Sequence, residues 1–378
     1  MSEMATLITG ATGFVGSNLV SELLRRNPRT RVICPARSNQ HATARDRILS
    51  AVAAAVAAWA KGPLTHDWQD RIQVVEGALD TFTKQLLPQV GSTGASTPIG
   101  SLWHCASSTL YESTDEIDLA QINVEGTKHV LDAAGRLGCQ EFNYVSTAYV
   151  AGCRDGAIAE ELPARQGAFN NAYEQTKAEA ERAVEAFSAG AGMVYRMFRP
   201  SIVIGDSITH KANSGGGLNK VIDSAFKLKD VILKRNPTYF LTKKTFRVNM
   251  DPDKAINLIP IDHVIAEMLA ISDRTGQSAN QIYHITREHQ LTVADAMAAF
   301  SSVFGIEIEC GNDPSELDRA ENAFERAIRQ FKPYLMSTKT FQRHTEVALD
   351  LPLSHAEWRP STALVEALIQ ARATRADT

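Results

Sequence analysis

The chain has 378 residues, enough to bury a large core in one domain or in a domain and a half. Apolar residues make up 44%, charged residues 22% and aromatic residues 7%, which argues against fibrous, disordered and membrane-embedded classes. A net charge of -4 leaves no basic field for general nucleic-acid binding. The five cysteines, Cys34, Cys105, Cys139, Cys153 and Cys310, have no C-x-x-C spacing and no company of metal ligands, so reduced thiols and no metal site are expected. No cationic n-region precedes the first apolar run, and the alanine-rich stretch at 51–60 is too short to span a bilayer. A soluble, cytoplasmic protein without a transmembrane segment is expected.

In chain order, 5–9 is a short apolar strand, followed by a glycine turn and a helix carrying Val15, Leu19, Leu23 and Leu24 on one face. Further strands are predicted at 31–34, 72–75, 101–105, 141–146 and 193–198. Helices are predicted at 42–60, 117–137 and 170–188. Strands alternating with helices imply an α/β fold with a doubly wound parallel sheet (Rossmann), its ligand at the C-terminal edge of the strands. After Gly205 the rhythm lapses: 206–250 holds Gly215, Gly216 and Gly217 and no clean pattern. A helix opens again near 261, a strand follows at 281–285, and the tail from 290 to 378 reads as mostly helical with a break near 311–314. The expected division is a dinucleotide-binding domain over 1–205 and 251–289. A smaller, mostly helical substrate portion would take 206–250 and 290–378.

Gly10-x-x-Gly13-x-x-Gly16 lies between the first strand and its helix. Gly10 permits a tight turn, Gly13 lets the backbone approach a pyrophosphate, and Gly16 allows close packing, with the helix N-terminus supplying N–H donors. Strand two runs into Pro35-Ala36-Arg37, where NAD-preferring units place a carboxylate for the ribose hydroxyls. Arg37, with Arg45 and Arg47 shortly after, suits a 2′-phosphate instead, so NADPH is the expected cofactor.

Tyr173 and Lys177 are four apart and share a helix face. A phenol is a poor acid or base at neutral pH unless a neighbouring ammonium stabilises its anion, and Lys177 is placed to do that. Ser146-Thr147 ends the fifth strand and brings hydroxyls to the same sheet edge. Thr147 is expected to donate to a substrate carbonyl, with Ser146 in reserve.

These pieces form an ordered set that resembles the extended short-chain dehydrogenase/reductase superfamily. Thr9 to Gly16, His104-Cys105-Ala106, Asn123 to Thr127, Ser146-Thr147, Tyr173 to Lys177 and Arg199-Pro200 all match. Within it, Asn171 to Glu181, Arg199 to Ser207 and, more faintly, Phe331 to Leu335 look most like the fatty acyl-CoA reductase and thioester reductase branch. The resemblance implies cofactor contacts from Gly10, Thr12, Gly13, Phe14, Val15, Gly16, Arg37, Arg47, Ala106, Asn123, Ser146, Lys177 and Pro200. It implies a catalytic set of Thr147, Tyr173 and Lys177. One position departs: Gly77-Ala78 follows the third strand where a Gly-Asp is usual, and Asp80 lies two residues on.

Residues 210 to 249 hold nine Lys and Arg against Asp223 and Asp230, a local excess of +7. Such a patch attracts coenzyme A phosphates or an acidic acyl carrier protein, or is a solvated loop. The expected activity is NADPH-dependent reduction of an acyl thioester to an aldehyde and possibly an alcohol. Alternatives are a ketoreductase, epimerase or dehydratase of the same superfamily, and a non-catalytic NADPH-sensing or scaffold protein. The scattered His104, His210, His263 and His284 are read as packing or polar residues without chemistry.

Overall fold

The computed structural model describes residues 4–79, 87–92, 98–114, 118–213, 217–311, 317–343, 347–351 and 357–376. Asp80, Gly215 and Gly216 lie outside them. Seven strands form one sheet: β1 (Ala5–Thr9), β2 (Val32–Ala36), β3 (Ile72–Glu76), β4 (Ile99–His104), β5 (Glu141–Val145), β6 (Val194–Pro200) and β7 (Gln281–Ile285). Their order is β7-β6-β5-β4-β1-β2-β3, and every pairing is parallel. The order reverses at β1 and β4, so the connections leaving these two strands diverge and open a crevice above the sheet edge.

Nine helices serve the description: α1 (Phe14–Arg26), α2 (Ala44–Ala58), α3 (Gly126–Arg136), α4 (Ala172–Ala191), α5 (Leu218–Arg235), α6 (Ile261–Ser272), α7 (Val293–Phe304), α8 (Arg319–Ile328) and α9 (Thr362–Ala376). One apolar core joins α1, α2 and α6 to a face of the sheet, and another joins α3 and α4 to the opposite face. Strand interiors such as Leu7, Ile8, Leu102 and Phe142 are fully buried, as a sheet covered on both faces requires. Local signals set the helix ends. Thr43 and Asp46 form a reciprocal capping box for α2, and Asn171 caps α4, which stops at Gly192 in the left-handed region. No helix among the described residues is long and apolar enough to cross a membrane.

The region after Gly205 is more ordered than its sequence rhythm predicts. Helix α5 has 18 residues and buries Val221, Ile222 and Ile232. With the partly buried Leu218, Ala225 and Leu228 these make an i, i+3/i+4 stripe, but the lysines interleaved with it obscure it in the sequence. The tail is less helical than expected, because Glu307–Gly311 is a strand paired in parallel with Thr245–Asn249. A two-strand pairing across some 60 residues leaves no local periodic signal. These elements and α5, α7, α8 and α9 share a third core that includes Ile222, Phe246, Val293, Ile328 and Val365.

Helix α4 is locked to β6 by a buried ion pair. Arg199 Nε and Nη2 donate to the two Glu181 oxygens at 2.8 and 2.7 Å, and Nη2 also donates to the Glu161 carbonyl at 2.9 Å. Neither side chain is more than 1% exposed. Removing one partner strands the other charge in the interior. Glu181→Leu is expected to cost about 3–5 kcal/mol in denaturant unfolding. Adding Arg199→Met should recover much of that loss, and a double mutant as unstable as the single would mean that the charges are not the issue.

Candidate active site

The crevice begins at the β1–α1 turn. Gly10 has φ +74°, and a Cβ there would lie 2.5 Å from the Ala106 nitrogen, while one on Gly16 would lie 2.2 Å from the Gly10 carbonyl oxygen. Both positions therefore exclude a side chain, and the turn is pressed between α1 and the end of β4. Gly13 donates its N–H to the Gly10 carbonyl at 2.9 Å. It starts α1 with no side-chain cap and no acidic residue in the first turn, which leaves first-turn amides for an anion.

A hydrogen-bonded row fixes the far side of the turn. Thr127 Oγ1 donates to the Asn123 carbonyl at 2.6 Å, so the Thr127 hydroxyl proton is spent. His104 Nε2, 3.0 Å away, must then donate to Thr127, and His104 Nδ1 must accept from Thr9 Oγ1 at 2.7 Å. The Ala106 N–H completes the row by donating to Thr9 Oγ1 at 3.4 Å. Only a neutral imidazole satisfies both bonds, and burial pushes the His104 pKa down to about 3. His104 is thus a structural link between β1, β4 and the first turn of α3.

A cavity of about 380 Å³ opens over this edge. Gly13, Phe14, Val15 and Gly16 form one wall, and Ser146, Thr147, Tyr173, Lys177 and Pro200 also line it. The structure thus gathers residues up to 187 positions apart into one space. Gly10 and Ala106 support the turn from behind, and Thr12 lies off the lining. Asn123 is 2% exposed and has its amide fully spent. It donates to the Ser108 carbonyl and Thr176 Oγ1 and accepts from Ser107 Oγ and the Ser108 N–H. Its side chain therefore shapes the 107–108 loop and has no donor or acceptor left for a cofactor. Arg37 is exposed beyond β2, whereas Arg47 donates to the Arg37 carbonyl and is used in holding that loop. Arg37 is thus the more exposed of the two, and one guanidinium nitrogen of Arg47 is committed to the loop.

Lys177 is 1% exposed; its Nζ donates to the Val145 carbonyl at 2.8 Å and stands 4.1 Å above the Tyr144 ring. Burial pulls its pKa down to about 7, opposed by the nearby Glu181 carboxylate. The phenol of Tyr173 moves the other way from the sequence expectation: burial, then Tyr111 and Glu174, raise it above the ordinary range. Desolvation leads, both neighbours act in the same direction, and the phenol is held protonated. Thr147 Oγ1 accepts from the Tyr149 N–H at 3.3 Å, leaving its own proton free to donate. The buried hydroxyls of Ser146 and Ser201 have no partner among the described residues, as expected of groups that meet a bound molecule. A glycine cradle, an uncapped helix and an orphaned Ser146 hydroxyl fit a dinucleotide. Among the described residues no group of three His, Cys, Asp or Glu is placed to hold a metal.

The sequence reading missed the aromatic wall. Tyr111 meets Tyr173 edge-on at 6.2 Å, and Tyr149 meets Tyr334 at 4.6 Å. Tyr334 Oη accepts from Asn171 Nδ2 at 2.9 Å, and Asn171 caps α4 by accepting the Glu174 N–H at 3.0 Å. The C-terminal segment therefore grips the first turn of the helix that bears Tyr173. Phe331-Lys332-Pro333-Tyr334 was the signal, but its partner lies 163 residues away.

The glycine turn, Thr147, Tyr173 and Lys177 thus line one cavity at the C-terminal edge of the sheet. This fold and arrangement place the chain among the NAD(P)-dependent oxidoreductases of the extended short-chain dehydrogenase/reductase type. The family model described as male sterility protein, an NAD-binding domain, matches residues 8–268, more than half of the chain, and the chain belongs to that family. It is 24% identical over 328 residues to the aldehyde reductase lnaA of Aspergillus flavus, a match covering 80% of this chain and 28% of that protein. The chain spans only about a quarter of the length of the first curated relatives it matches. Among solved structures it is similar to the terminal R domain from the myxalamid PKS-NRPS biosynthetic pathway, with TM-score 0.75, 19% identity and coverage of 100% and 92%. It is also similar to a thiolation-reductase di-domain from an archaeal non-ribosomal peptide synthetase, with TM-score 0.73, 18% identity and coverage of 100% and 77%.

Lys177 provides a stability test. Its folded pKa is below its unfolded value, so the charged form is penalised on folding in full below pH about 7. The penalty is relieved as pH rises from there towards the unfolded pKa of about 10.4. Lys177→Met should therefore raise Tm at pH 6, with the gain shrinking steadily between pH 7 and pH 10. Melting curves across that range check it, and a pH-independent gain would mean that the lysine is not buried as a cation.

Proposed function

We propose that this protein reduces a carrier-bound acyl thioester, on coenzyme A or an acyl carrier protein, to an aldehyde and a free thiol. NADPH is the reductant. The observation that carries the reading is the shared cavity: the glycine turn, Thr147, Tyr173 and Lys177 face one space whose remaining wall is largely apolar and aromatic. Likeness to a terminal R domain and a thiolation-reductase di-domain supports a thioester over a free carbonyl, and a carrier protein as partner.

The cofactor, when bound, supplies a hydride to the substrate carbonyl. The chain's own residues do the rest. Gly13 and the first turn of α1 hold phosphate oxygens through amides and the helix field. Arg37 pairs with the 2′-phosphate, and Ser146 and Pro200 pack against the nicotinamide end. Phe14 and Val15 close the turn side. Thr147 and Tyr173 hydrogen-bond the carbonyl oxygen and draw charge onto it, and Tyr173 then gives up its proton. Lys177 is close to half-charged near neutral pH and offsets the phenolate that forms. The hemithioacetal so formed collapses: its C–S bond breaks, its hydroxyl proton passes to the leaving sulfur, and aldehyde and thiol separate, while the aromatic wall of Tyr111, Tyr149 and Tyr334 excludes the water that would hydrolyse the thioester.

Incubation with NADPH and acyl thioesters should release free thiol and aldehyde in equal amounts. Turnover of ketones alone would move the protein to a ketoreductase role. Tyr173→Phe should lower kcat by about 10²–10⁴-fold while leaving the NADPH dissociation constant within about twofold, in steady-state and fluorescence titrations. Retention of most turnover would remove Tyr173 as the proton donor. Arg37→Ala should raise KM for NADPH about tenfold and leave KM for NADH unchanged, because one charge-assisted contact to the 2′-phosphate is lost. An unaltered NADPH/NADH ratio would place that phosphate elsewhere.

A further inference from the structure

A second helix N-terminus faces the cavity from across the glycine turn. Helix α5 begins behind Gly217 with no side-chain cap and no acidic residue in its first turn, while Lys234 and Arg235 occupy its last. Its positive end is therefore uncompensated over an 18-residue helix. Gly217, Leu218 and Lys220 line the cavity. No hydrogen bond or ion pair engages the half-buried Lys220 ammonium among the described residues. By contrast, Lys243 and Lys332 of the same portion of the chain are paired with carboxylates.

Two further observations point to a ligand at this helix end. Ser201 is 6% exposed, lines the same cavity, and its hydroxyl has no partner among the described residues. It sits beside the start of α5, since a Cβ on Gly217 would lie 3.5 Å from Ile202 Cγ2 and 3.7 Å from the Val203 carbonyl oxygen. The approach to α5 is also tied to α1. Asn213 Nδ2 donates to Ser17 Oγ at 2.8 Å and to the Ala51 carbonyl at 3.3 Å, and its Oδ1 accepts from Asn18 Nδ2 at 3.1 Å. Two uncapped helix N-termini are thereby held around one space, and only the first belongs to the dinucleotide turn.

We propose that the N-terminus of α5, Lys220 and Ser201 form a second phosphoryl-binding subsite, distinct from the glycine turn. Backbone amides and the helix field hold the oxygens, Lys220 supplies the counter-charge, and the Ser201 hydroxyl gives a directional bond. On the thioester-reductase reading above, two sources carry this chemistry: the phosphate of a pantetheine arm, or the diphosphate of the cofactor gripped from its outer side.

The test is calorimetric titration of the full chain, as wild type, Lys220→Gln and Lys220→Arg, with NADPH and then with coenzyme A added to the NADPH complex. Equal Tm values establish that the variants fold. In Lys220→Gln at least one of the two dissociation constants should rise about tenfold, as loss of a charge-assisted contact implies. A rise confined to coenzyme A assigns the subsite to the pantetheine arm, and a rise for NADPH assigns it to the cofactor. Lys220→Arg should stay within about twofold of wild type, since it keeps the charge. The subsite is overturned if Lys220→Gln leaves NADPH affinity unchanged and coenzyme A either binds as in wild type or does not bind the wild type at all. It is equally overturned if Lys220→Arg is as weak as Lys220→Gln, since the role would then be packing. Neither titration needs turnover. Failure to reduce any acyl thioester, on coenzyme A, on a carrier protein or on N-acetylcysteamine, would therefore count against the reductase reading and leave the subsite standing.

Discussion

Lys177 lies between α4 and the sheet, almost wholly out of water, with its hydrogen bond spent on the carbonyl of Val145 at the end of β5. Burying an ammonium is costly, and the surroundings are arranged to bear it. Glu181, one turn further along α4, is also buried, and Arg199 on β6 takes both of its oxygens. A row of charges, Lys177 to Glu181 to Arg199, therefore runs through the joint between helix and sheet. Its consequence is positional. Tyr173 is one turn before Lys177, and Thr147 is two residues after Val145, so the interaction that anchors the lysine also sets the tyrosine and the threonine in register. Slippage of α4 by one turn would unpair a buried cation.

The opposite side of the crevice is held by direction as well as by packing. From the Ala106 amide through Thr9, His104 and Thr127 to the Asn123 carbonyl, each group donates to the next, and the row closes only if His104 is neutral. It joins the strand that precedes the glycine turn to the one that ends beside it. Gly10 can then sit against Cys105 and Ala106 with no room for a side chain. Asn123 extends the same logic to the 107–108 loop, from which Tyr111 reaches the cavity.

The substrate side is assembled from parts that have no contact along the chain. Tyr334 enters from the C-terminal segment, bonds to the cap of α4, and packs against Tyr149, which follows Thr147 by two residues. An aromatic wall stands beside the half-buried Tyr173. The segment that supplies Tyr334 to this wall also holds the first turn of the helix that bears Tyr173.

Much of this was legible in the residues. Seven strands, the α1 turn, α4 and the Thr147, Tyr173 and Lys177 set follow from apolar runs, glycine spacing and an i, i+4 pair, because each depends on local geometry. Arg37 was read first and Arg47 after it as candidates for a 2′-phosphate; the loop beyond β2 adds that Arg47 bonds to the Arg37 carbonyl, while no partner engages the Arg37 side chain among the described residues. Likewise Asn123 reads as a cofactor ligand until its four hydrogen bonds are seen to close inside the protein. The strand at Glu307–Gly311 exists through pairing with a segment some 60 residues earlier, and Tyr334 reaches the site through a partner 163 residues away. The phenol of Tyr173 is the plainest case. The sequence by itself determined that a lysine would stand one turn from it on the same helix face. Whether that lysine or the burial would govern the proton was decided by the tertiary structure alone, because desolvation depends on every element packed around a group and no spacing records it.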